Sequence, residues 1–88
     1  MITVNRKQVS DILRMEYLAR LSAVQDKIRH FEQKYNCSFH EFEAKVQGEA
    51  EDFEWWDDYM EWKAYRNVDA DIQHNIFELQ HGNFEIIG

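Results

Sequence analysis

The sequence predicts an all-α fold: two long antiparallel helices joined by a short elbow helix, forming one domain over residues 1–88, with dimerisation into a four-helix bundle expected. Three observations carry this. The 88 residues include no proline and only three glycines, which suits long helices with few turns. Apolar residues recur every three or four positions over two long stretches, the helical period. Between the stretches stand Asn36-Cys37-Ser38 and a capping pattern.

Ile2-Thr3-Val4 has the β-branched character of a short strand. Asn5 is a suitable N-cap, and Gln8 three positions on completes a capping box. A helix then runs from Arg6 to Tyr35, with Val9, Leu13, Tyr17, Leu21, Val24, Ile28, Phe31 and Tyr35 along one row. Ile12, Met15 and Leu18 widen that row near its start, enough to meet more than one neighbour. Ser38 caps a short helix over 39–47, with Glu41 as its box partner and Phe39, Phe42 and Val46 as its apolar side. Gly48 is expected to end it in the left-handed conformation.

The second long helix is predicted over 49–81, stopping at His81 and Gly82. Its expected buried row is Phe53, Trp56, Met60, Ala64, Val68, Ile72, Ile76 and Leu79. Trp55, Tyr59 and Trp62 fall on another side, the side expected to meet another chain. Folding the long helices back on each other matches residues whose numbers sum to about 84, such as Phe31 with Phe53 and Val24 with Met60. Lys34 with Glu51, Lys27 with Asp58 and Arg14 with Asp71 follow the same register. Ile2–Val4 and Phe84–Ile87 are then placed to pair as a small ribbon.

The net charge of −7 argues against a surface made for nucleic acid or anionic lipid. Residues 1–34 carry seven basic and four acidic side chains, and residues 35–88 carry three and thirteen. Opposite halves of this kind are expected to lie against each other. The single Cys37 excludes an internal disulfide. The start MITVNRKQ lacks a signal-peptide core, and no stretch approaches a membrane span, so a cytoplasmic protein is expected.

No catalytic constellation emerges. His40-Glu41 opens like a zinc-protease motif, but Ala44 stands where the second histidine belongs. Cys37 and His40 are three apart, a spacing that more often marks a packed cysteine than a nucleophile. Asp71, His74, Glu78 and His81 place two carboxylate–histidine pairs on one helix, the basis for an alternative reading as a metal-binding bundle. No cofactor is expected.

The aromatic and acidic stretch Phe53–Tyr65, FEWWDDYMEWKAY, with Phe39-His40-Glu41-Phe42-Glu43 before it, resembles a group of small acidic helical proteins of bacteria and archaea. Members of that group are commonly suspected to be antitoxins encoded beside a small toxin. The resemblance spans most of residues 5–80 and rests on Trp55, Trp56, Asp57, Asp58, Tyr59, Glu61, Trp62 and Tyr65. It implies a non-enzymatic protein that neutralises a basic toxin. The expected partner-binding residues are Trp55, Asp57, Asp58, Tyr59, Glu61, Trp62 and Tyr65, with aromatic anchors and steering carboxylates. A structural homodimer joined through the aromatic face is the other alternative.

Overall fold

The computed structural model describes residues 5–48 and 52–82. Three helices follow in order: α1 (Arg6–Tyr35), α2 (Phe39–Gly48) and α3 (Phe53–Gln80). All regular structure among the described residues is helical, and none of these helices is long and apolar enough to cross a membrane. The anticipated ribbon between the chain ends lies outside the described residues.

Local chemistry sets the helix ends. Asn5 accepts from the Gln8 N–H at 2.9 Å, and the Gln8 side chain accepts the Asn5 N–H at 2.9 Å, closing a reciprocal box. Asn36 ends α1 at φ 51°, a left-handed conformation that asparagine tolerates better than most residues. Ser38 Oγ accepts the Glu41 N–H at 3.2 Å and opens α2. Gly48 is helical, not left-handed as expected; Gly82, at φ +70°, takes the left-handed role beyond α3. Helix α3 starts at Phe53, later than position 49, because the Asp52 carboxylate accepts the Trp55 N–H at 3.2 Å and holds Asp52 extended.

Helices α1 and α3 meet along their length, in descending order on α3 as α1 ascends. Arg6 donates to the Gly82 carbonyl, Gln25 to Asp69, and Lys34 reaches Glu54 and Asp58. The register differs from the expected one. Lys34–Asp58 sums to 92 and Gln25–Asp69 to 94. Arg6–Gly82 and Lys34–Glu54 each sum to 88, so the displacement from pairs summing to 84 runs from about one turn to nearly three.

The burial pattern gives the reason. The row of α3 that faces its neighbours runs Tyr59, Trp62, Asp69, Ile72, Ile76 and Leu79, with Arg66 half-buried beside it. Tyr59, Trp62, Ile72 and Leu79 are buried, whereas Phe53 is 84% exposed and Met60 60% exposed. The expected row and the expected outer face are therefore exchanged over the first half of α3. Asp69 breaks the apolar pattern of the true row, but its carboxylate is satisfied there by Gln25 at 3.4 Å and Gln73 at 3.0 Å.

The core is concentrated at the elbow. Phe31 of α1, Phe39, Phe42 and Val46 of α2, and Tyr59 and Trp62 of α3 form one buried cluster. Farther along, Leu18, Leu21, Ile76 and Phe77 line an open groove between α1 and α3, with Gln25, Gln73 and Gln80 completing it. The described chain is a rod of 59 × 19 × 18 Å.

Candidate functional site

Trp62 is the centre of the elbow, 1% exposed. Its indole lies 5.4 Å from both Phe39 and Phe42 and 5.7 Å from Phe31, ring centre to ring centre. Phe39 stacks on Tyr59 at 5.5 Å and 7°. Tyr35 and Phe42 lie 4.1 Å apart. Such pairs add about 0.5–1.5 kcal/mol each beyond area burial. The Trp62 Nε1–H is buried with no acceptor in reach. An unmet donor of this kind costs about 1–3 kcal/mol, so packing holds Trp62 in place against its own polar atom.

Around this core the carboxylates have defined partners. Lys34 Nζ donates to Asp58 at 2.6 Å and to Glu54 at 3.0 Å, and the Tyr35 hydroxyl donates to the same Asp58. Burial alone raises the Asp58 pKa; the Lys34 and Tyr35 hydrogen bonds outweigh it and leave the carboxyl below its usual range. Lys34 is held above its usual range, first by Asp58 and then by Glu54. Burial first, then the Asp58 hydrogen bond, pushes the Tyr35 hydroxyl up to about 12. Tyr59 donates to Glu43 at 2.7 Å, a tie that raises its phenol, and Tyr65 donates to Glu61 at 3.2 Å; the Tyr65 phenol is raised first by burial and then by that bond.

The seven residues expected to bind a partner are thus divided. Tyr59 and Trp62 are buried in the chain's own core. Trp55 and Tyr65 are half-buried, packed on the same cluster. Asp58 is committed to Lys34 and Tyr35. Asp57 and Glu61 are exposed. The expectation that Trp62 stands outside the core is corrected: α2 folds over it, so one molecule shelters the face that was expected to need a companion. Trp55 and Trp56 remain partly accessible.

Exposed in place of Trp62 is a strip of α3 in which Phe53, Met60 and Ala64, expected to be buried, join Asp57 and Glu61, expected to face outward. Phe53, Asp57, Met60, Glu61 and Ala64 are all exposed and recur at the spacing of one helix face. Two large apolar side chains therefore sit among carboxylates, with Glu54 alongside. Asp52 could have placed the start of α3 at Phe53, but a cap does not say which face of the helix turns inward.

The residues of the metal alternative do not converge. His74 Nε2 stands 3.6 Å from Glu78, whereas His81 Nδ1 is 2.8 Å from the Phe77 carbonyl and Asp71 is exposed. Among the described residues, no three histidine, cysteine or acidic side chains are grouped to hold a metal ion. Cys37 is half-buried at the edge of the elbow core. Comparison of the chain with family profiles, with curated proteins and with solved structures finds no match.

Proposed function

We propose that the chain is an antiparallel helical hairpin acting as a non-enzymatic protein–protein interaction module, the antitoxin of a toxin–antitoxin pair that neutralises a basic toxin. The observation that carries this is the exposed strip Phe53, Asp57, Met60, Glu61 on α3. Apolar anchors among uncompensated carboxylates suit a partner with a cationic rim and an apolar pocket. The elbow core beneath holds the helix that carries the strip, so little backbone ordering is needed on binding. Lys34 is shared between two α3 carboxylates, Glu54 and Asp58, whereas Arg20 and Arg29 pair with acids of α1 itself; the outer side of α3 therefore keeps a net negative field.

The test is recovery of the native complex, identification of its basic component, and titration of that component with variants. Met60→Ala is expected to weaken binding roughly five- to tenfold, about 1 kcal/mol or more. Asp57→Lys is expected to slow association, with the difference shrinking as salt is raised. Expression of the partner alone should arrest growth, and co-expression of this chain should restore it. A tight complex indifferent to both substitutions removes the site; a partner without toxicity removes the antitoxin role.

A second reading, self-association toward a four-helix bundle, is favoured by the apolar groove at the far end of the rod. It uses a different surface and is independent of the first.

A further inference from the structure

We infer that α3 is received lengthwise, as a helix, in an apolar groove of a basic protein, and that the groove is walled by cations along one side only. This placement rests on the interaction reading above and names the shape and charge of the surface that takes the strip.

The apolar part of the strip continues past Glu61. At 3.6 residues per turn, Met60 and Ala64 fall within about 20° of Phe53, and Val68 within about 60°. Phe53, Met60 and Val68 are 84%, 60% and 42% exposed, and Ala64 is exposed among them. They form one seam on the outer side of α3, about 22 Å long at ~1.5 Å per residue. Anchors seven and four residues apart are those by which an amphipathic helix seats itself in a groove. The side of a helix is convex, so the surface that fits it is a trough. Ala64 is the smallest member of the seam, and there the helix backbone comes nearest the floor. The inward side of the same turns is fixed by Tyr59 and Trp62, so a partner can cover the seam without drawing anything from the core.

The two flanks of the seam differ in charge. Asp57 and Glu61 lie about 40° and 80° to one side of Phe53. Neither has an ion-pair partner among the described residues, and Glu61 accepts the Tyr65 hydroxyl. On the other side, at about 40–80°, stand Asn67, Trp56 and Lys63. Lys63 Nζ lies over the Tyr59 ring at 5.8 Å from its centre and has no acid paired with it. The complementary wall is therefore basic along Asp57 and Glu61 and not along Lys63. This asymmetry sets the direction of the helix. Turned end for end on the same seam, α3 would bring Lys63 to the basic wall and its carboxylates to the other. A second copy of the chain would bring the same acidic flank and the same net charge of −7, so the charge complement belongs to a basic partner.

The test titrates the full chain with the basic protein isolated beside it from the native complex. Ala64→Phe is expected to weaken binding about tenfold or more, because the added ring holds the helix off the floor. Val68→Asp is expected to do the same. Both variants should keep the helical circular dichroism of wild type, since both positions are exposed. Glu61→Lys is expected to cost about tenfold. Asp11→Lys makes an equal charge change near the other end of the rod, beyond a Debye length of roughly 8 Å, and is expected to cost less than about twofold. Binding indifferent to Ala64→Phe and Val68→Asp, but still weakened by Met60→Ala, overturns the groove and leaves the interaction reading standing. Equal losses from Glu61→Lys and Asp11→Lys, or tighter binding by Lys63→Glu, overturn the one-sided wall. Indifference to Met60→Ala, or a chain recovered with no basic protein or only with itself, removes the reading and the groove together.

Discussion

Asp58 shows how one carboxylate is fitted to its site. It is half-buried, yet its pKa lies below the usual value because Lys34 and Tyr35 both donate to the ionised form. A group whose pKa is depressed by folding adds stability above its unfolded pKa and loses it as pH falls through the folded one. The contribution is therefore present from about pH 4 upward and disappears below that. Asp58→Asn is expected to flatten the acid limb: between pH 6 and pH 2.5 the variant should lose less of its urea midpoint than wild type. Parallel curves would show that the Lys34–Asp58–Tyr35 contact does not couple to folding. Lys34 is partly exposed, so most of its attraction is screened, and the partly buried Asp58 is where the pH effect concentrates.

On the scale of a helix, the two sides of α3 should respond oppositely to truncation. Trp62→Ala empties the centre of the elbow core and is expected to cost about 3–5 kcal/mol in denaturant unfolding. Met60→Ala removes an exposed side chain and is expected to change stability by less than about 0.5 kcal/mol. The opposite ranking would mean that the row through Phe53 and Met60 is the buried one. Helix positions were readable in the sequence because caps are local: Asn5 with Gln8, and Ser38 with Glu41, depend on residues three apart. The exact span of α1 follows from them. Which face of α3 turns inward was not readable, because that row contains Arg66 and Asp69. A polar residue inside a seam is visible as such only when its partner is known, and Gln25 is 44 positions away. The alternative row through Phe53, Met60 and Val68 has more apolar members and wins any count of periodicity, while placing Trp62 in solvent. For the same reason the site was legible only in part: Asp57 and Glu61 are exposed as expected, but the aromatic anchors assigned to them are the core.

Across the whole molecule, Gln25 and Asp69 sit midway along the rod and fix how α1 lies on α3. A polar pair inside a seam specifies register at some expense in stability. Gln25→Leu alone is expected to lower stability by about 1 kcal/mol, because Asp69 loses one of its two donors. Gln25→Leu with Asp69→Leu is expected to recover that loss or exceed it, a non-additive cycle read from urea midpoints. A double variant less stable than either single one would show that the pair acts by packing and not as a matched donor and acceptor. The same rod is unevenly built: aromatic packing and α2 make the elbow firm, whereas the far half has only two helices and an open groove. Local opening should therefore start at the far half, and amide exchange should be faster over α1 near Leu13 than near Phe31.

The guanidinium of Arg6 holds the carbonyl of Gly82 at 2.5 Å, fastening the first turn of α1 to the residue after α3. Asn5 and Gly82 consequently lie at one pole of the rod, about 30–45 Å from the Phe53–Glu61 strip toward the other. A fluorescent or affinity fusion at that pole would therefore leave the strip unobstructed.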